Sequence, residues 1–329
     1  MVTLPDDAGD LVAEHVTGLQ HTRVHRSARG TTGGSDGFLW WHRPGALHPG
    51  PLAAPAAAAV PDLSGVPGAA LLATPVPAGG GLLHRAPGAV SVVTWLADPR
   101  PGARRLAAHA LAAAGCALRA LHGTPVPPGL PAGPPAALRR MRAWADGRDG
   151  LLPGAARLRE AALAGWGTDR LDRVRTWWEE AVAPAVPSLI HGGASLGALV
   201  PPLHRGRTAL LTGEDLAAGS PALDLGWLLG DLAELAWSQG RNGPPVPPEG
   251  PDPRHVLLAG YGPGPGADAL GRAAVLRVVT HMQDFAAYCD WTEELHDYIA
   301  FTAELIDEEG RRAVPGPGPG PAPGGTPTP

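Results

Sequence analysis

The segment SLIHGGASLGALV, residues 188–200, carries the pattern on which the fold assignment depends. Its first residues are aliphatic, which is typical of a short buried strand. Two glycines follow at once and predict a tight loop at the end of that strand. Leu189, Ile190, Leu196 and Leu199 supply apolar side chains on both sides of the glycines. The pattern therefore predicts a loop that is packed between buried elements.

Helical patterns flank this loop. Downstream, RTALLTG predicts a second short strand and PALDLGWLLGDLAELAW predicts a strongly apolar helix. Upstream, GARRLAAHALAAAGCALRALHG has apolar residues at helical spacing and ends at Gly123, where glycine is favoured just after a helix. Further helices are predicted around residues 136–146, 155–165, 168–183, 254–261, 267–288 and 291–309.

The N-terminal part has a different pattern. Residues 1–20 place apolar side chains on one face of a helix, so we expect a short helix there. A polar run with a Gly-rich turn predicts a β-hairpin next. We predict an α+β fold with a small β-containing lobe over 1–85 and a large helical lobe over 86–310. We expect the Gly/Pro-rich tail, residues 311–329, to be disordered because it cannot bury enough apolar surface.

Composition excludes several classes of function. The net charge is −5, all 26 basic residues are arginine, and no basic block is present, so we expect no nucleic-acid partner. The absence of lysine indicates a GC-rich bacterial genome. No signal peptide or membrane span is predicted, so we expect a cytoplasmic protein. The two cysteines, Cys116 and Cys289, are expected to be reduced core residues.

Two segments carry a family resemblance. LIHGGASLGALV, followed by TGEDLAAGSPALDLGWLLGDL, resembles the aminoglycoside phosphotransferase family of small-molecule kinases, which are related to protein kinases. The helix end LRALHG and Tyr261 fit two further positions of that family. The resemblance covers about residues 81–305 and implies a two-lobed protein-kinase-like fold. It implies structural roles for His191, Pro221, Asp224, Leu225 and Trp227, with Asp224 bonded to the loop backbone.

The positions that would carry the chemistry depart from the family pattern. Gly193 stands where the catalytic aspartate is expected, and Ala198 stands where the metal-binding asparagine is expected. Thr212 stands in place of the second metal-binding aspartate. Phosphoryl transfer needs carboxylates and an amide to orient the acceptor and to hold magnesium. The segments 188–200 and 208–216 therefore resemble a catalytic loop and a metal loop that have both degenerated.

The lysine that grips the phosphates in such enzymes is absent from the whole chain. Its usual glutamate partner is missing too, because no glutamate occurs between Glu14 and Glu160. With four parts lost together, the resemblance implies a catalytically dead pseudokinase. We expect it to bind a partner protein, a peptide or a small molecule, with no cofactor and no metal.

An active enzyme is the alternative. In that case Glu214 or Asp215 replaces the missing carboxylate, and the protein is an atypical small-molecule phosphotransferase of the aminoglycoside type that uses ATP and magnesium. The hydroxyls of Ser195 and Thr212 are poor substitutes, because magnesium prefers carboxylate oxygens in such sites.

Three other features admit two interpretations each. GTTGGSDG, residues 30–37, is predicted to be a plain hairpin turn, with a phosphate loop as the alternative. Arg205 and Arg207 are expected to flank a strand in solvent, with phosphate contact as the alternative. Trp40 and Trp41 place an apolar pair in a thin lobe, and exposure of that pair would indicate a partner surface.

Overall fold

The computed structural model of the chain describes residues 8–27, 37–128, 130, 133–204, 206–241 and 250–316. The strands of this part are β1 (Ala8–Val16), β2 (Gln20–Ser27), β3 (Phe38–Pro44), β4 (Leu71–Ala73), β5 (Val76–Ala78), β6 (Gly81–Ala86), β7 (Ser188–Ile190), β8 (Leu199–Val200), β9 (Ala209–Leu211) and β10 (Ala217–Gly219). The helices are α1 (Val92–Ala97), α2 (Pro101–His122), α3 (Ala136–Asp146), α4 (Pro153–Val182), α5 (Pro221–Arg241), α6 (Pro253–Tyr261), α7 (Ala267–Tyr288) and α8 (Glu294–Asp307).

The N-terminal lobe is built on an antiparallel sheet in the order β1-β2-β3-β6-β5. Successive strand residues point to opposite faces, and β3 has an aromatic ring on each face. Trp40 packs with Val24, while Trp41 packs with Leu39 and Leu83. Both rings are buried, so the partner surface considered for this tryptophan pair is absent.

The helix predicted over residues 1–20 is wrong, because Ala8–Val16 is the edge strand β1. Its apolar residues do fit helical spacing, but Leu11 and Val12 are 49% and 46% exposed. The spacing therefore does not mark a buried face. Strand β1 pairs with β2 through two register shifts between Ala8 and Ala13, so it lacks the strict alternation that identifies a strand in a sequence.

The C-terminal lobe confirms the predicted helices. The two helices expected at 155–165 and 168–183 are the halves of α4, which is kinked at Gly167, where φ is 73° and ψ is 177°.

Helices α2 and α6 approach closely at a pair of glycines. A methyl group on Gly115 would lie 2.3 Å from the Leu257 carbonyl oxygen, and one on Gly260 would lie 2.3 Å from that of Ala112.

Two expectations about this lobe need correction. Cys289 is exposed just after α7, because the helix ends there and the chain turns toward solvent; Cys116 is half-buried. The tail was predicted to be disordered from residue 311, but a 3-10 turn at Arg311–Ala313 buries Ala313 against the helical core. Residues 317–329 lie outside the described residues. No helix in the described part of the chain is long and apolar enough to cross a membrane.

A small mixed sheet, β4-β9-β8, joins the lobes. Strand β4 of the N-terminal part runs parallel to β9, pairing Leu71 with Ala209. Arg207 holds the chain before β4 by donating hydrogen bonds of 2.9 Å to the Ala69 carbonyl and 2.6 Å to that of Ser64. Arg207 therefore has a structural role. The expectation that it flanks a strand in solvent was wrong, and so was the alternative that it contacts phosphate. Arg205 lies outside the described residues.

Candidate functional site

A cavity of about 500 Å³ lies between the two lobes. Its walls include the turn between β1 and β2, the inner face of the N-terminal sheet, the loop after β7 and the segment after β9. The structure brings the predicted loop positions to this one cleft, which is lined by His191, Gly193, Ser195, Ala198, Thr212, Glu214 and Asp215. The other predicted residues, Pro221, Asp224, Leu225 and Trp227, lie in the first turns of α5, outside the cleft lining.

The loop after β7 is held by a buried carboxylate on α5. Asp224 accepts hydrogen bonds of 2.7 Å and 2.8 Å from the backbone N–H groups of His191 and Gly192. It also accepts one of 2.9 Å from His122 Nε2. Burial by itself would raise the pKa of Asp224, but the His122 hydrogen bond and the nearby imidazoles outweigh it, so the pKa is lowered. Asp224 therefore shapes the loop as a charged acceptor.

A second carboxylate holds the same loop, and the sequence reasoning missed it. Asp231 accepts a 2.8 Å hydrogen bond from the Leu196 N–H and forms a 2.6 Å ion pair with Arg277. Asp231 lies seven residues after Asp224, which is two helical turns, so both carboxylates lie on the same face of α5. That spacing is the signal that could have identified it.

Thr212 occupies a lobe-to-lobe contact. It is fully buried. Its N–H donates to the Ala73 carbonyl at 3.1 Å, and its own carbonyl accepts from His84 Nε2 at 2.8 Å. Its hydroxyl lies 3.4 Å from the Leu210 carbonyl, to which it donates. Thr212 therefore helps to join the two lobes through its backbone.

Neutral imidazoles line the cleft. Burial lowers the pKa of His42 to about 3, and electrostatic repulsion from the neighbouring His84 contributes to this shift. Burial also lowers the pKa values of His84 and His191. Among the described residues that line the cleft, Arg140 is the one arginine, and its guanidinium donates to both Asp284 oxygens at 3.0 Å and 2.6 Å. Its positive charge is therefore already paired.

Asp215 fills the space beside Gly193. A methyl group on Gly193 would lie 3.6 Å from Asp215 Oδ2. Asp215 Oδ1 accepts a 2.5 Å hydrogen bond from the Ala136 N–H at the start of α3. Burial raises the pKa of Asp215, although the Ala136 hydrogen bond opposes this. One carboxylate oxygen thus caps a helix, and the other lies beside Gly193.

Glu214 has a different role. Its Oε2 accepts a 3.0 Å hydrogen bond from the Ala53 N–H of the N-terminal lobe. The sequence left Glu214 and Asp215 as equal candidates, and the structure separates them: Asp215 lies beside Gly193, whereas Glu214 is bonded to the opposite lobe.

Residues 30–36 of the candidate phosphate loop lie outside the described residues. Leu19 of the β1–β2 turn and Gln20 at the start of β2 line the cleft. Among the described residues, no group of three or more His, Cys, Asp or Glu side chains is arranged to hold a metal ion.

No protein-family profile and no curated protein sequence matches the chain. Solved structures do match. A choline/ethanolamine kinase family protein from Mesorhizobium loti aligns over 95% of both chains with 15% identity and a TM-score of 0.50. An ethanolamine kinase from Plasmodium vivax aligns over 89% of this chain and 81% of its own, with 10% identity and a TM-score of 0.51.

At this level of identity the comparison shows the fold alone. The chain has the two-lobed, protein-kinase-like phosphotransferase fold, with a β-containing N-terminal lobe and a helical C-terminal lobe, as the sequence predicted. The narrower resemblance to aminoglycoside phosphotransferases stays a prediction.

Proposed function

We propose that this protein is a catalytically inactive member of the kinase-like fold that binds a small molecule or a peptide in its cleft. The observation that carries the proposal is the environment of Thr212. Its backbone bonds to Ala73 and His84, and its buried hydroxyl donates to a strand carbonyl. No carboxylate stands at this position to hold magnesium, and a neutral hydroxyl is a poor replacement.

The electrostatics of the cleft support the same proposal. A bound triphosphate needs cationic groups or magnesium to offset its charge. The cleft instead offers Glu214 and Asp215, each with one carboxylate oxygen already bonded to a backbone N–H, imidazoles whose pKa values are lowered, and an arginine that is already paired. The residues present therefore do not fit an ATP–magnesium complex.

The cleft has the size of a ligand site. A volume of about 500 Å³ falls within the range of pockets that bind small molecules. Because the carboxyl groups accept hydrogen bonds, they favour a ligand with hydroxyl or amine donors. Ethanolamine and choline, which the names of the two structural neighbours mention, are reasonable first probes.

Isothermal titration calorimetry tests the proposal. We expect no saturable heat from ATP with magnesium, and measurable heat from a ligand of the donor class. Asp215→Ala should weaken that binding, whereas Asp149→Ala, at an exposed position that does not line the cleft, should not. Magnesium-dependent ATP binding with turnover would contradict the proposal.

An active phosphotransferase is the second candidate, and one observation favours it. Asp215 Oδ2 lies beside Gly193, where the base of a kinase is expected to act. A positioned base contributes about 10²–10⁴-fold to a rate. Transfer of labelled γ-phosphate to hydroxylated or aminoglycoside acceptors would support this candidate if Asp215→Ala abolished it. Retention of transfer in Glu214→Ala would assign the role to Asp215 alone.

A further inference from the structure

The segment that follows β3 forms part of the cleft wall. We name residues 45–53 the strap; His48 and Leu52 of the strap line the cleft. The first part of the strap is bonded to the turn between β1 and β2. The Gly45 N–H donates to the Leu19 carbonyl at 2.9 Å, and the Leu47 N–H donates to the Gly18 carbonyl at 2.8 Å.

That turn is in contact with the C-terminal lobe. The Gly18 N–H donates to the Tyr288 carbonyl at 2.6 Å. Tyr288 is the last residue of α7, and the final carbonyls of a helix have no partner within the helix. A methyl group on Gly18 would lie 2.8 Å from that carbonyl oxygen and 2.9 Å from Leu47 Cδ1. The contact therefore requires glycine at this position.

The other end of the strap is bonded to the cleft itself. The Ala53 N–H donates to Glu214 Oε2 at 3.0 Å. Glu214 also lines the cleft. Glu214 therefore connects the strap to the wall of the cleft, so a ligand that draws this side chain away from Ala53 would also release the strap.

We propose that the strap and the β1–β2 turn form a gate over the cleft, which the hydrogen bonds Gly18–Tyr288 and Ala53–Glu214 hold closed. The net contribution of one such bond is small, so its loss changes the open population by about fivefold. Motions of this kind occur on microsecond to millisecond timescales. The inference rests on the proposed binding role of the cleft. Its test measures how readily a reagent reaches the cleft and not whether a ligand binds, so the gate and the binding role can fail separately.

The test uses diethyl pyrocarbonate, a small reagent that modifies neutral imidazoles, with the rate at each histidine followed by mass spectrometry. His42, His84 and His191 report access to the cleft, and the exposed His296 is the internal reference. We expect Glu214→Ala and Gly18→Ala to raise the rates at the three cleft histidines about fivefold relative to His296.

Two matched variants complete the design. Glu214→Gln keeps an acceptor oxygen for Ala53 and should leave the modification rates of the cleft histidines unchanged. Gly65→Ala adds a methyl group with nothing within 4 Å and should also have no effect. If Gly18→Ala does not fold, the pair Glu214→Ala and Glu214→Gln decides. Unchanged cleft rates in Glu214→Ala, or a rise that His296 shares equally, would overturn the proposal.

Discussion

Removal of the Asp224 carboxylate, which holds the loop after β7, should strongly destabilise the protein. Asp224→Ala deletes the acceptor for the His191 and Gly192 N–H groups and for His122 Nε2. Each buried donor left without a partner costs about 1–3 kcal/mol. Three such donors give a loss of about 3–6 kcal/mol after partial relaxation, which is a large part of the 5–15 kcal/mol that is typical of a folded domain.

Urea denaturation followed by far-ultraviolet circular dichroism measures this loss. The control is Asp149→Ala, because Asp149 is exposed and its replacement should change the free energy of unfolding by less than about 0.5 kcal/mol. The loss of stability in Asp224→Asn should lie between those of the two alanine variants. The asparagine side chain keeps one acceptor oxygen, but its NH2 group meets N–H donors where the second carboxylate oxygen was. A loss below about 1 kcal/mol in Asp224→Ala would refute the scaffold role of this carboxylate.

The same carboxylate predicts a pH dependence. Because its pKa is lower in the folded protein than in the unfolded chain, its contribution is fully present above the unfolded pKa, which is about 3.9. The contribution is lost as the pH falls through the lower, folded pKa. The stability difference between the unmodified protein and Asp224→Asn should therefore shrink as the solution is acidified.

Three further predictions follow from individual contacts. Arg207→Lys should lose about 1–3 kcal/mol, because an ammonium cannot reach the several carbonyls that the guanidinium binds; urea midpoints measure this. Gly192→Ala should destabilise by more than about 2 kcal/mol, since φ is +78° and its methyl would lie 1.9 Å from the Asp215 carbonyl oxygen, whereas Gly213→Ala, with nothing within 4 Å, should be nearly neutral in thermal melts. Asp215→Asn should unfold at an equal or higher urea concentration at pH 7, because the raised pKa of Asp215 means that its charged form costs stability above the unfolded pKa; a clear decrease would contradict this.

The helical lobe could be predicted because its signals are local. Helix α7 was expected at 267–288, where the structure has it, since its apolar residues recur at helical spacing over six turns. The loop at 188–200 could be placed because a strand, two glycines and the following apolar helix occur in a recognisable order. Gly193, Ala198 and Thr212 accordingly lie in one cleft.

The rest depends on contacts between distant parts of the chain. Strand β1 has no buried face, so its apolar spacing was misread as a helix. Arg207 reaches a residue 138 positions away, and Glu214 reaches Ala53 across 161 positions. The sequence also left Glu214 and Asp215 equivalent, because only the fold decides which carboxylate faces Gly193.

Crystals of the protein soaked with ATP and manganese would test the central claim most directly, because manganese replaces magnesium and is located by its anomalous scattering. We predict no anomalous peak in the cleft near Thr212 or Ala198. A manganese ion bound there by Glu214 or Asp215, with ordered phosphates beside it, would contradict the account.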